Sequence, residues 1–199
     1  ERLFSTPGTT WADYDPKRLS KGGTVFSRSS KSLNISPEIK KCLSITKNSV
    51  TPNELIGNLL RAKADLLWFG GIGTYVKASS ESHLDVGDRA NDGIRVNGAE
   101  LNCKVIGEGA NLGCTQLGRI EYAMKGGRLN TDSIDNSAGV DSSDHEVNIK
   151  VLVDDIVAKG QLTKKSRNLL LARMTDEVAD LVLIQNYRQT QAISLIQSQ

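Results

Sequence analysis

A short strand followed by a glycine-rich turn is the clearest structural signal in this sequence. Residues 103–113 read Cys-Lys-Val-Ile-Gly-Glu-Gly-Ala-Asn-Leu-Gly, and a helical pattern follows from about Thr115. Glycine permits positive φ and lets a ligand approach the backbone closely. In open α/β sheets, ligands bind outside the carboxyl ends of parallel strands. The stretch therefore predicts a parallel strand that delivers its carboxyl end to a ligand.

Two further strands are predicted to end in similar turns. Residues 65–69 form an apolar run that stops at Gly70 and Gly71, and residues 128–131 indicate a third strand. A turn that reads Asn-Ser-Ala-Gly follows at residues 136–139. Because parallel strands bring their carboxyl ends to one edge of a sheet, we expect the three turns at that edge. Asn side chains there both donate and accept hydrogen bonds, which suits a carboxamide or a ribose.

Helix starts are marked by Ser and Thr residues, whose side chains can accept hydrogen bonds from the first helical turn. The strongest signal is at Thr51, because Pro52 fits the first helical position and Glu54 can complete a capping box. Helices are predicted after Ser36, Thr51, Thr115, Thr163 and Thr175, and another is predicted from about residue 147 to Gly160. Before the first helix, the N-terminal region is expected to be irregular, and residues 24–26 are its one candidate for a short strand. Between the helices we expect a polar loop at 78–92, a small β turn at 94–98 and a polar turn at 135–146.

Composition and charge exclude several classes of partner. The 199 residues are 38% hydrophobic and 24% charged, which is ordinary for a globular chain with a real core. A net charge of +2 gives no indication of a nucleic-acid or membrane partner, and no apolar run reaches the roughly 18 residues of a membrane span. The first fifty residues hold nine Lys and Arg against four Asp and Glu, for which a solvated face is favoured over phosphate contact.

The cysteines and the first residue indicate the setting of the chain. Cys42, Cys103 and Cys114 are far apart and form no Cys-x-x-Cys pair. They predict free thiols in a reducing, cytoplasmic compartment. The chain begins at Glu1 with neither a start Met nor a signal-peptide pattern, so we expect a piece of a longer protein.

Motifs that would identify other enzyme classes are absent from the sequence. It contains no G-x-G-x-x-G, no Walker motif, no G-x-S-x-G and no metal-ligand spacing. His83 and His145 stand alone. For His145, a solvated histidine at a helix start is favoured over a general base. No catalytic residue and no metal site are therefore predicted in this chain.

Three blocks of sequence, with their order and spacing, resemble the coenzyme domain of glutamate dehydrogenases. They lie at residues 64–67 (Ala-Asp-Leu-Leu), 107–111 (Gly-Glu-Gly-Ala-Asn) and 136–146 (Asn-Ser-Ala-Gly-Val, then Ser143 and Glu146). The flanking text at residues 11–15, 20–29, 66–76 and 186–195 is similar to the very large bacterial NAD-specific members of that family. The resemblance extends over essentially the whole chain.

The resemblance implies oxidative deamination of L-glutamate to 2-oxoglutarate and ammonia, with NAD as the hydride acceptor. It places Gly70 and Gly71 against the ribose on the nicotinamide side of the cofactor. It places Asn111 near the nicotinamide, and Asn136 between the nicotinamide and the substrate. It matches Ser143 to a serine that helps to hold a glutamate carboxylate.

The chain departs from the family pattern at the substrate end. The turn reads Asn-Ser-Ala-Gly where the family has Asn-Ala-Gly-Gly, and Asp141 and Asp144 add negative charge beside the proposed carboxylate pocket. The family's catalytic lysine and aspartate, its substrate domain and its dinucleotide glycine loop all precede the matched region. The resemblance therefore implies a chain that is inactive alone, binds NAD weakly at best and works with the rest of a parent chain.

The expected fold is α/β, with a partial Rossmann-like (doubly wound) parallel sheet flanked by helices and an irregular N-terminal region. In the order 3-2-1-4-5-6, residues 65–69, 103–107 and 128–131 would be strands 4, 5 and 6. The first of them would have an open edge, which invites pairing with another copy, as in a homo-oligomer, or with a displaced N-terminal segment.

Three parts of the chain are expected to differ in structure. Residues 1–50 are predicted to be an irregular basic segment with one short helix, 51–160 a partial dinucleotide-binding domain, and 161–199 C-terminal helices. The last helix is polar from residue 185 to 191, which indicates either a solvated helix or one that docks on a neighbour. The absence of catalytic groups leaves a second reading open, a non-catalytic α/β binding or assembly module.

Overall fold

Three parallel strands form the centre of the computed structural model, which describes residues 1–199. The strands in chain order are β1 (Leu33–Asn34), β2 (Ser49–Val50), β3 (Leu66–Phe69), β4 (Val76–Lys77), β5 (Val96–Asn97), β6 (Val105–Glu108) and β7 (Arg128–Leu129). The central sheet has the order β3-β6-β7, with Leu66 opposite Val105 and Val105 opposite Arg128. This arrangement confirms an α/β fold with a parallel sheet.

Eight α-helices surround the strands. They are α1 (Pro37–Leu43), α2 (Pro52–Leu60), α3 (His83–Val86), α4 (Gln116–Met124), α5 (Asp132–Asp135), α6 (Val140–Ala158), α7 (Lys164–Arg173) and α8 (Thr175–Gln197). The predicted caps at Ser36, Thr51 and Thr163 are confirmed, because each side chain accepts a hydrogen bond from the third backbone N–H of the helix that follows. Thr115 caps α4 in the same way. No helix is both long enough and apolar enough to cross a membrane.

Two segments predicted as loop or turn carry regular structure. The polar stretch 78–92 contains α3, because Ser82 and Asp85 form a capping box that starts a helix without any apolar periodicity. Residues 94–98 do not form a β turn. Val96 and Asn97 form β5, which pairs in parallel with β4 and thereby adds a second small sheet.

Three other local expectations were wrong. Helix α6 begins at Val140, so half of the predicted polar turn at 135–146 is helical. Thr175 does not cap α8, because Met174 before it already has helical backbone angles, and the Thr175 hydroxyl instead donates to the Leu171 carbonyl at 3.4 Å. Residues 24–26 form no strand.

The larger hydrophobic core covers one face of the central sheet. Phe69 and Ile106 project from that face and are 5% and 1% exposed. The cluster consists of Leu60, Phe69, Val76, Val96, Leu101, Cys103, Ile106, Cys114 and Tyr122. A smaller cluster of Leu33, Ile35, Ile45, Val50 and Leu55 packs the β1–β2 pair against α2.

The outer edge of β3 is open. Strand β3 pairs with β6 only, and its other face leaves Leu66 and Trp68 54% and 57% exposed. The N-terminal strand β1 pairs in antiparallel fashion with β2 and does not reach β3. The expectation that a displaced N-terminal segment covers this edge was therefore wrong, since β1 finds its hydrogen bonds with β2, which follows it after α1.

Candidate functional site

Two of the predicted site residues meet at the carboxyl edge of the sheet. Asn111 lies in the turn after β6, and Asn136 directly follows α5. The Nδ2 atom of Asn136 donates to Oδ1 of Asn111 at 2.7 Å. Neither amide makes another side-chain hydrogen bond, and Asn111 is exposed to solvent. The pair therefore presents one free donor, Nδ2 of Asn111, and one free acceptor, Oδ1 of Asn136.

The two predicted glycines follow β3 at the same edge. Gly70 and Gly71 are exposed, and they come directly after Phe69, which is paired with Glu108 on β6. A Cβ atom added at Gly71 would meet nothing within 4 Å, and one added at Gly70 would meet only the Trp68 ring, at 3.7 Å. The space beside these glycines is open to a ligand.

The position of the Trp68 ring explains why residues 107 and 109, in the neighbouring strand and the turn after it, are glycines. A Cβ atom added at Gly107 would lie 2.4 Å from the ring, and one added at Gly109 would lie 2.3 Å from it. Real Cβ atoms do not approach so closely, so any side chain at either position would displace the ring. These two glycines serve the packing of Trp68 across the sheet face.

The structure does not bring Ser143 into the Asn111–Asn136 pair. Ser143 lies in the first turn of α6, where it is exposed and makes no side-chain hydrogen bond. It shares that turn with Asp141, which faces His145 with 3.7 Å between Oδ1 and Nε2. His145 is half-buried between α6 and α8, so the reading of it as a solvated histidine at a helix start was wrong.

A buried ion network lies beneath the Asn111–Asn136 pair. Glu108 has no exposed surface, and Arg119 of α4 meets it with Nε and Nη2, at 2.6 Å from Oε1 and 2.9 Å from Oε2. The same Nη2 atom lies 3.0 Å from Oδ1 of Asp132. Burial lowers the pKa of the Arg119 guanidinium, but the hydrogen bonds and charges of Glu108 and Asp132 outweigh burial and raise that pKa above its ordinary value. Arg119 therefore stays cationic between the two carboxylates.

Both carboxylates of this network also hold the turn that carries Asn111. Oε2 of Glu108 accepts from the backbone N–H of Cys114 at 3.1 Å, and Oδ2 of Asp132 accepts from that of Leu112 at 2.9 Å. Leu112 has φ of +57°, a left-handed conformation that a non-glycine residue seldom adopts. The ion network therefore fixes the backbone on the C-terminal side of Asn111.

Sequence reasoning missed this network, although one signal for it was available. Glu108 stands at the end of an apolar strand, and a carboxylate at such a position needs a buried cation. Which cation supplies the charge follows only from the way α4 packs on the sheet.

The remaining reactive groups offer no chemistry at this edge. Burial raises the pKa of the Cys114 thiol, and the nearby charge of Glu108 raises it further, so this cysteine is held as an inert thiol. No group of three or more His, Cys, Asp or Glu side chains is placed to hold a metal ion.

Comparison with known proteins gives one consistent family. Residues 1–196 match the family described as bacterial NAD-glutamate dehydrogenase, catalytic domain. The chain is 57% identical over 195 residues to the NAD-specific glutamate dehydrogenase of Halomonas elongata, a match that covers 98% of this chain and 12% of that protein. The protein of the same name from Pseudomonas aeruginosa is 58% identical over 197 residues, with 99% and 12% covered. That from Mycobacterium tuberculosis is 52% identical over 191 residues, with 93% and 12% covered.

These matches extend over nearly the whole chain, while the chain spans about 12% of the length of the curated relatives. The family match reaches from the first residue to within three residues of the last, and the parallel sheet with its Asn-bearing turns lies inside it. The chain therefore belongs to the bacterial NAD-glutamate dehydrogenase family, and residues 1–196 match its catalytic domain.

Proposed function

We propose that the chain is part of an oxidoreductase that deaminates L-glutamate oxidatively to 2-oxoglutarate and ammonia with NAD. Family membership and the names of the three relatives support the reaction. The cofactor supplies the hydride chemistry, and the protein supplies position and electrostatics. The part of the active site that this chain provides is the wall on the nicotinamide side of the cofactor. The observation that supports this assignment is the hydrogen-bonded amide pair of Asn111 and Asn136 at the carboxyl edge of parallel strands.

The free atoms of the amide pair fit a carboxamide such as that of nicotinamide. A carboxamide has an NH2 group that donates and a carbonyl that accepts. Nδ2 of Asn111 is free to donate to such a carbonyl, and Oδ1 of Asn136 is free to accept from such an NH2 group. The open space beside Gly71 leaves room for the adjoining ribose. We accordingly assign Gly70, Gly71, Asn111 and Asn136 to cofactor binding.

The substrate end of the site is assigned to Ser143. Its hydroxyl is exposed in the first turn of α6, a few residues beyond Asn136, and has no partner in the fold. An exposed hydroxyl at the start of a helix can donate to a carboxylate, and the positive end of the helix dipole favours an anion there. The carboxylates of Asp141 and Asp144 oppose such binding, so Ser143 needs cationic partners from outside this chain.

The open edge of β3 supports a sheet that continues in a longer protein. The order β3-β6-β7 corresponds to strands 4, 5 and 6 of a doubly wound sheet, in which strand 1 pairs with strand 4. The proposed Rossmann-like domain is thus completed at β3 by the rest of the parent chain, with self-association as the other route to cover that edge. The three free cysteines support a cytoplasmic location.

A non-catalytic assembly module is the second candidate, and one observation favours it. Helix α8 leaves Leu183, Tyr187 and Ile196 exposed by 69%, 65% and 73%, as a docking helix would. Such a module would not depend on the Asn111–Asn136 pair, so the two candidates differ in a measurable way.

The test replaces each amide in the full-length enzyme that contains this chain. We expect Asn111→Ala and Asn136→Ala each to lower kcat/KM for NAD by about tenfold or more, which is about 1.4 kcal/mol of lost interaction. The formation of NADH in the presence of glutamate is the readout. Asn53→Ala on the exposed surface of α2 is the matched control and should leave the kinetics unchanged. Unaltered NAD kinetics in both site variants would refute the assignment and favour the assembly module.

A further inference from the structure

We infer that Arg119 is a positioning residue that fixes Asn111 relative to Asn136. The inference rests on the proposed function, because it concerns how the two amides are held for the cofactor. Arg119 lies on α4, and its guanidinium makes no hydrogen bond to either amide. It acts through the two carboxylates that flank it, Glu108 and Asp132.

The first connection runs from Arg119 to the turn of Asn111. Glu108 receives two hydrogen bonds from the guanidinium and one from the backbone N–H of Cys114. It is also the last residue of β6, so its backbone leads directly into the turn. A guanidinium that holds the Glu108 carboxylate therefore sets where the turn starts and where it ends.

The second connection runs through Asp132, which touches both sides of the site. Its Oδ1 accepts from Arg119 at 3.0 Å, and its Oδ2 accepts from the backbone N–H of Leu112 at 2.9 Å. Its backbone carbonyl accepts from the backbone N–H of Asn136 at 2.7 Å. One residue thus joins the neighbour of Asn111 to Asn136 itself, and Arg119 fixes the orientation of its side chain.

The chemistry of this position requires an arginine rather than a lysine. The planar guanidinium meets Glu108 with two nitrogens and still reaches Asp132 with one of them, and Nη1 donates to Gln116 at 3.1 Å. A lysine ammonium is a point charge and cannot reproduce this fork. Without the fork, no single group holds both Glu108 oxygens and the Asp132 carboxylate at a fixed separation. The turn and α5 would then shift independently.

The test compares ligands with and without the nicotinamide, in the full-length enzyme. We expect Arg119→Lys to raise KM for NAD and Kd for NADH by about tenfold, because the two amides lose their mutual placement. The inhibition constant of ADP-ribose, which lacks the nicotinamide, should stay within about twofold of the unmodified enzyme. A merely structural defect would reduce the active fraction or weaken both ligands alike. Arg128→Met on the exposed edge strand β7 is the control variant and should leave every constant unchanged.

The possible outcomes separate this inference from the proposed function. Unchanged KM and Kd in Arg119→Lys, or parallel losses for NADH and ADP-ribose, would overturn the positioning role. Asp132→Asn provides an independent variant if Arg119→Lys fails to fold, and we expect the same selective rise in KM for NAD. Normal NAD kinetics in Asn111→Ala and Asn136→Ala would defeat the proposed function. A loss in those two variants with normal Arg119→Lys and Asp132→Asn enzymes would defeat the positioning inference alone.

Discussion

Replacing Glu108 by glutamine tests the buried ion network directly. The Glu108 carboxylate has no exposed surface, and it accepts three hydrogen bonds, at 2.6 and 2.9 Å from Arg119 and at 3.1 Å from Cys114. Glutamine has nearly the same size but only one accepting oxygen, and its NH2 group would face a donor. The variant therefore leaves the guanidinium of Arg119 partly unpaired in the interior without creating a cavity.

The expected loss of stability is large for a single substitution. Removing one partner of a buried ion pair costs about 3–5 kcal/mol, because the other charge stays desolvated. For a chain of this size, each kcal/mol lowers Tm by roughly 2–4 °C, so Glu108→Gln should lower Tm by about 6–20 °C. Thermal unfolding followed by circular dichroism, with guanidinium denaturation as a second measurement, gives both quantities.

Glu146→Gln is the matched control for this substitution. Glu146 lies on α6, half-exposed, and pairs with Lys150 one turn away. Exposed pairs of this kind contribute about 0–1 kcal/mol, so the control should scarcely move Tm. A Glu108→Gln variant that loses less than about 1 kcal/mol would refute the reasoning. The double variant Glu108→Gln/Arg119→Met should lose less than the sum of the two single variants, since both remove the same contact.

Two further predictions concern groups away from the site. Tyr122 is 2% exposed, and its hydroxyl donates to the Cys103 carbonyl at 3.0 Å. Tyr122→Phe should therefore lower the free energy of unfolding, measured by denaturant titration, by about 1 kcal/mol. No change would show that water replaces this hydrogen bond. The hydrogen bond from Lys47, followed by that from the Thr51 backbone, lowers the pKa of Glu54 from 4.5 to about 2. A depressed carboxyl pKa stabilises the fold above the unfolded value, and this contribution is lost as the pH falls through the folded one. The difference in denaturation midpoint between the unmodified chain and Glu54→Gln should therefore be constant above pH 4.5 and shrink as the pH falls from 4.5 to about 2. A difference that does not change with pH would contradict these hydrogen bonds as the cause of the lowered pKa.

Local signals in the sequence were sufficient for the larger elements. The capping residues Ser36, Thr51 and Thr163 act within one helical turn, so their effect is readable without knowledge of the fold. Strands β3 and β6 were also readable, because each contains a short apolar run that stops at glycine, whereas β7 has only one apolar side chain, Leu129. Their parallel order followed from that pattern and from the family resemblance.

What the sequence could not reveal depends on distant contacts. Strands β4 and β5 are two residues long, and only their pairing with each other makes them strands. Thr175 is of a residue type that caps helices. Because Met174 before it already has helical backbone angles, Thr175 lies inside α8 and cannot act as its cap. Helix α6 starts in a stretch rich in Asp and Ser, where propensity is poor and packing against α8 decides.

The candidate site likewise has a part that could be predicted from the sequence and a part that could not. Asn111 and Asn136 were expected at one sheet edge, and the structure places their amides 2.7 Å apart. The contact of Arg119 with Glu108 and Asp132 was not foreseeable, because it depends on how α4 crosses the sheet. Ser143 was expected from resemblance alone, and nothing in the fold ties it to the two amides.

The sequence positions of the residues in the larger core also determine when that core can form. All nine residues of that core lie between Leu60 and Tyr122, so the contacts that bury them are closed within one continuous stretch of chain. Contacts that are close in sequence lose less chain entropy on closure and form faster. During synthesis, this stretch can bury its apolar side chains as soon as Tyr122 has left the ribosome, before helices α6, α7 and α8 are made.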